Sequence, residues 1–243
     1  MSKWAIAILL LVACGGGSGG IMPPGDDARP PGIDAAPDAA PIVADPAMTK
    51  LLYLAIDGVA IVKSTTENAK LNQSTAASQD GVLLPFLNND LQRQQKLDAL
   101  TAQLAATLAP YDITITTSRP PSGGGDYHMI VLTDSPPTTL GFPNGVSAVV
   151  PTACNTLPSV IGFGFLANMF DTNRLASSTI ALFGITGGVP TSTKDGDCMC
   201  LSCATLTAPC TLGGAGTPID PLCGRSGTLD IAGMFLAVYG PRP

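Results

Sequence analysis

Six of the seven cysteines in this chain lie between Cys154 and Cys223, and the N-terminus decides what they become. Lys3 precedes an apolar run from Trp4 to Val12. That run is too short to cross a bilayer as a stable helix, so it reads as an export signal. Outside the cytoplasm, thiols oxidise unless something protects them. Cys154, Cys198, Cys200, Cys203, Cys210 and Cys223 therefore read as three disulfides, with the pairing open. A rival reading is zinc, because Cys198-x-Cys200-x₂-Cys203 is dense enough to hold a metal. It lacks the paired C-x₂-C spacing of thiolate zinc sites, which favours disulfides. A stapled body tolerates many loops, in keeping with 27 glycines and 22 prolines.

The seventh cysteine stands elsewhere. In Leu11-Val12-Ala13-Cys14 a small residue closes the apolar run just before a cysteine. This resembles the bacterial lipobox. The resemblance implies that residues 1–13 are a signal peptide, removed before Cys14. Acyl chains would then sit on the Cys14 sulfur and on the new N-terminus. Each buried CH₂ adds about 0.8 kcal/mol of membrane affinity, so several chains anchor a protein firmly. Gly15 is not the acidic residue that retains some lipoproteins at the inner membrane, so the expected address is the outer membrane. Residues 14–47 comprise the lipidated cysteine and a linker rich in Gly, Pro, Asp and Ala. Such a segment cannot bury enough apolar surface to offset its ordering entropy, and reads as a flexible tether. Gly16-x-Ser18-x-Gly20 has nucleophile-elbow spacing but lacks the flanking strand and helix.

Residues 48–243 are expected to form a single domain. From Met48 onward there are thirteen acidic and ten basic residues and no basic run. A nucleic-acid partner is excluded, because nothing would neutralise its phosphates. The expected partners are the membrane, through the lipid, and a peptide or protein ligand.

Leu51–Ile56 and Val59–Val62 are apolar and β-branched, broken by Asp57-Gly58, which suggests a hairpin or a bent strand. Residues 64–80 read as a loop. Asn88-Asn89-Asp90 offers helix caps before Leu91, Leu97, Leu100, Leu104 and Leu108, an amphipathic helix ended by Pro110. Strand-like runs follow at 113–117, 127–132, 146–150 and 160–165. A second helix is expected at 175–185, capped from Asp171, Thr172 or Asn173, and a third at 231–239. This order predicts an α+β or three-layer fold.

Three passages carry a further resemblance, from about Leu51 to Tyr239. They are Leu108-Ala109-Pro110-Tyr111-Asp112-Ile113 leading to Tyr127-x-Met129-Ile130-Val131; Ala153-Cys154-Asn155; and residues 178–189 followed by Asp197-Cys198-Met199. Together they resemble bacterial lipoproteins and secreted proteins with a metzincin-like zinc-peptidase domain. The resemblance implies a mixed sheet packed with a long helix and a central zinc-site helix, followed by disulfide-rich C-terminal loops. Active metzincins carry H-E-x-x-H-x-x-G-x-x-H there, with a methionine turn beneath the site. Aligned on Gly188, the three histidine positions hold Ala181, Ile185 and Thr191, and Leu182 stands in the glutamate position. Met199 falls at the methionine turn. These positions are a degenerate zinc helix, and no cofactor is expected.

Catalytic zinc needs about three imidazole, thiolate or carboxylate ligands from the protein, and this chain has one histidine, His128. His128 reads as an exposed or satisfied strand residue, and no serine has the context for a triad. Asp195-x-Asp197 and Asp171-x-Asn173 could offer oxygens to calcium but read as turns and caps. The expected function is therefore a tethered, non-hydrolytic binding or structural module, its former substrate cleft kept as a groove beside Ala181 and Ile185. The alternatives are a peptidase with unusual ligands and a disulfide-stabilised surface module of unrelated fold.

Overall fold

The computed structural model describes residues 49–151, 158–166, 171–201, 203, 206, 208–220 and 225–243. Its centre is a five-stranded sheet built from β1 (Leu51–Ala55), β5 (Thr114–Thr116), β6 (His128–Thr133), β7 (Ala148–Val149) and β8 (Ile161–Phe165), in the order β5-β1-β6-β8-β7. The first four in that order run parallel, and β7 closes the edge antiparallel to β8. Every residue of β6 and β8 is buried. Parallel strands covered on both faces show such unbroken apolar runs, which is why 127–132 and 160–165 were legible as strands.

Alternation along the strands sorts the core into two clusters. Leu52, Leu54, Ile130 and Leu132 point to a helical layer of α1 (Arg93–Thr107), α2 (Thr172–Thr186) and α3 (Ile231–Tyr239). Met129, Val131, Ile161 and Phe163 point the other way. There they meet Ile61 and Leu83 of a small sheet made of β2 (Val59–Lys63), β3 (Gln73–Ser74) and β4 (Gly81–Leu83), together with Leu140 and Phe142. The result is an α+β body in three layers: helices, central sheet, and a second sheet with loops.

The expected hairpin at Asp57-Gly58 does not form. β1 pairs with β5 and β6, whereas β2 pairs with β3 and β4, so the chain bends out of one sheet into another. Burial explains the division. β1 lies in the centre between two parallel partners, while Ala60 and Val62 of β2 face solvent. Arg93 fixes the bend, its guanidinium donating to the Ile56 carbonyl and to Asp57 Oδ1, each at 2.8 Å.

Residues 64–80 are more organised than a plain loop. They hold a short 3-10 turn (Ala69–Leu71) and β3. Glu67, the only glutamate in the chain, accepts from Ser74 Oγ, Thr75 Oγ1 and the Thr75 amide, and its other oxygen accepts from the Ile161 amide at 3.3 Å. One carboxylate thus ties this segment to the central sheet.

Helix α1 buries Leu97, Leu100 and Leu104 as its spacing predicts, but it starts later than expected. Gln92 occupies the N-cap position without a side-chain cap, and Leu91 is fully exposed in the preceding turn. Asp90 instead accepts from the Gln92 amide and pairs with Lys96. Helix α2 keeps its expected cap: Asp171 accepts from the amides of Asn173 and Arg174. Between α2 and α3 a small antiparallel pair, β9 (Thr217–Pro218) with β10 (Thr228–Leu229), was not foreseen.

Candidate functional site

The residues aligned with a zinc motif lie on and just after α2, so the setting of that helix decides their chemistry. From Leu175 to Thr186 its side chains are buried with one exception. It lies close to the sheet because β8 presents glycine to it. A Cβ on Gly162 would come within 2.8 Å of Ile130 Cδ1 and 3.7 Å of the Leu182 Cβ. Leu182, in the glutamate position, therefore sits in the helix–sheet interface at 1% exposure. Ala181 and Ile185 are equally enclosed, at 0% and 3%. The groove expected beside these two residues is thus closed at their side chains.

Gly188 follows the helix with φ +75°, a left-handed conformation that favours glycine. The chain turns there as the motif glycine would require. Thr191, in the third histidine position, is committed: its hydroxyl donates to Asp220 Oδ2 at 2.9 Å, and the Asp220 amide returns a bond to the Thr191 carbonyl. Arg225 donates to the Gly188 carbonyl at 2.9 Å from the same C-terminal stretch. A methyl, two branched aliphatic side chains and an engaged hydroxyl do not fit zinc, which needs nitrogen, thiolate or carboxylate donors. Among the described residues no group of three or more His, Cys, Asp and Glu could hold a metal.

Met199 lies beneath the helix. Its Sδ and Cε come within 2.7 and 2.8 Å of the point where a Cβ on Gly184 would sit. The Met199 amide donates to Asp197 Oδ1 at 2.8 Å, and its carbonyl accepts from the Ser192 amide. Ser177 Oγ donates to the Cys198 carbonyl, joining this turn to α2. Disulfides bracket it: Cys198 pairs with Cys210, and Cys200 with Cys203. With those four sulfurs bonded to one another, none remains as a thiolate for zinc. Cys14, Cys154 and Cys223 lie outside the described residues.

Aromatic packing closes the far side. Phe183 stacks on Tyr239 of α3 with ring centroids 4.9 Å apart, and the Tyr239 hydroxyl donates to the Phe183 carbonyl. Phe183 also meets His128, in a T-shaped arrangement with ring centroids 5.8 Å apart. His128 is neither exposed nor fully satisfied, contrary to its sequence reading. It is wholly buried; Nδ1 accepts from the Val160 amide at 3.4 Å, and Nε2 has no partner among the described residues. Burial depresses its pKa to about 4, against a smaller opposing pull from Asp126. The imidazole is thus neutral at physiological pH.

The candidate calcium oxygens are dispersed. Asp171 caps α2, and Asn173 bonds Gln103 Nε2 and the Leu206 carbonyl. Asp195 is exposed, while Asp197 is buried and accepts from the Met199 amide. Burial raises its carboxyl above the usual range, against smaller opposing contributions from the Met199 amide, the Ser192 hydroxyl and the Gly213 backbone. Asp197 sits in a short polar run that reads as surface, and the strand reading of 127–132 left open whether His128 is exposed or satisfied. No family model, curated protein or solved structure matches the chain.

Proposed function

We propose that this chain is an exported lipoprotein, tethered through Cys14, whose body is a metzincin-like module that no longer hydrolyses peptides and serves as a binding or structural unit of the cell envelope. The metzincin-like part is supported by the arrangement around α2. A mixed sheet backs the helix, a left-handed Gly188 turns the chain after it, and Met199 packs beneath it. The loss of activity rests on one observation: the positions that would ligate zinc and activate water are core side chains, with Ala181, Leu182 and Ile185 buried. Water activation needs a metal or a base with a free lone pair. The positions on α2 offer neither.

The binding role is supported by the second sheet. Val62 of β2, Val82 of β4 and Leu84, which follows β4, are exposed apolar side chains available to a peptide or protein ligand. A peptide-library cleavage assay on the purified mature chain, with and without a chelator, tests the reading. No chelator-sensitive cleavage is expected; reproducible cleavage abolished by the chelator would replace the module with a peptidase.

A further inference from the structure

The two disulfides beside Met199 differ in setting, and the difference separates their roles. Cys198 and Cys210 are twelve residues apart, at 0% and 3% exposure. Their bond is locked into the fold from several sides. The Cys198 amide donates to the Thr211 carbonyl, and the Cys198 carbonyl accepts from Ser177 of α2. Cys200 and Cys203 are three residues apart, nested inside the first loop. Closing so short a loop removes little entropy from the unfolded chain, so this bond contributes less to the fold. Cys203 is the most exposed of the four, at 9%. All four cysteines are buried, Cys203 the least completely, and exchange begins with attack of a thiolate on a disulfide sulfur, so the Cys200–Cys203 bond is the less shielded of the two.

A third observation concerns the opened state. Cys203 Sγ lies 3.5 Å from the Lys194 carbonyl oxygen. A disulfide sulfur carries no hydrogen to donate there, whereas a thiol does. The acceptor for the reduced form is already in place. Met199 would not be released with the bond, because its own hydrogen bonds run to Asp197 and Ser192 and its thioether packs at Gly184.

We propose that Cys200 and Cys203 are a reversible dithiol–disulfide couple that exchanges with an external dithiol, while Cys198–Cys210 stays closed as the structural bond. In the forward step a thiolate of the external dithiol attacks Cys203 Sγ, and Cys200 leaves as the thiolate. The second external thiol then attacks its own sulfur of the mixed disulfide and releases Cys203. Two electrons pass to this chain, both cysteines take up protons, and the external dithiol becomes a disulfide. The partner class is an extracytoplasmic dithiol oxidoreductase; the C-x-x-C spacing is the one such enzymes themselves use.

The test uses the whole mature protein in dithiothreitol buffers of graded potential, trapped by alkylation and read by peptide mass spectrometry. Alkylation at Cys200 and Cys203 should exceed that at Cys198 and Cys210 by roughly fivefold or more at the midpoint of the first transition, corresponding to a gap of about 30 mV. Near-ultraviolet circular dichroism should be unchanged there, and reoxidation should restore the starting pattern. The double variant C200S/C203S should keep the Cys198–Cys210 bond. Simultaneous opening of both bonds, opening of Cys198–Cys210 first, or no opening before the protein unfolds would each overturn the assignment. The wild-type measurement decides even where the variant does not fold.

Discussion

Met199 occupies the space that Gly184 leaves by having no side chain. Gly184 is in the interior of α2, where alanine would ordinarily be preferred by roughly 1 kcal/mol. Here a Cβ would meet the thioether within 2.8 Å and Phe235 Cζ at 3.0 Å. The glycine is therefore kept by packing against its own helix propensity.

Gly184→Ala should accordingly destabilise the body by about 1–2 kcal/mol, as overpacking of a buried site does. In a Met199→Ala background the same substitution should cost clearly less, because the clash with the thioether is gone and the helix propensity of alanine then opposes only the 3.0 Å approach to Phe235 Cζ. Denaturant unfolding of the four proteins in the cycle checks this. A neutral or stabilising Gly184→Ala in the wild-type background would contradict the packing.

His128 should make the protein acid-sensitive. Its folded pKa of about 4 lies below the ordinary 6.5, so between these values the unfolded chain binds a proton that the native state refuses. Stability then rises with pH through this window, and about 3 kcal/mol is lost on going from pH 7 to below pH 4. Asp197 acts in the opposite sense, since a raised carboxyl favours folding as pH falls. Comparison with His128→Leu isolates the histidine: urea unfolding across pH 4–6.5 should show a flatter slope in the variant. Equal slopes would rule out the buried neutral imidazole.

The cysteines should rank by loop length. Chain entropy assigns about 3 kcal/mol to Cys198–Cys210 and about 2 kcal/mol to Cys200–Cys203, given separations of 12 and 3. C198S/C210S should therefore lower the unfolding midpoint more than C200S/C203S. Non-reducing mass spectrometry of the mature protein should also find three disulfides among the six cysteines from Cys154 to Cys223, with no free thiol.

On the proposed lipobox reading, anchoring depends on Cys14. Cys14→Ser should move the protein from the membrane fraction to the soluble fraction or leave it unprocessed. A variant that fractionates and migrates like wild type would sink the lipobox reading.

Where the pattern of side chains reported burial, the sequence was a sound guide. The leucines of α1, the runs of β6 and β8, the Asp171 cap and the extent of α3 all follow from periodicity and capping. What it hid depended on pairing at a distance. The bend at Gly58 resembles a hairpin because sequence gives strand content, not which sheet a strand joins. Glu67 looks like an ordinary loop acid until Ile161, far along the chain, supplies its partner. Ala181, Leu182 and Ile185 read as a lost zinc site, and their apolar character did foretell the core position they occupy. The engagement of Thr191 did not show, because it depends on Asp220, across the cysteine-rich segment.

The central claim is that α2 is a core helix and not a metal site. Elemental analysis of the unmodified, disulfide-intact mature protein tests it most directly, after purification without chelator and equilibration with zinc. The account predicts zinc far below one per chain, with no loss of thermal stability when a chelator is added. About one zinc per chain, removed by chelator with a fall in stability, would contradict it and assign the metal to ligands outside Ala181, Leu182, Ile185 and Thr191.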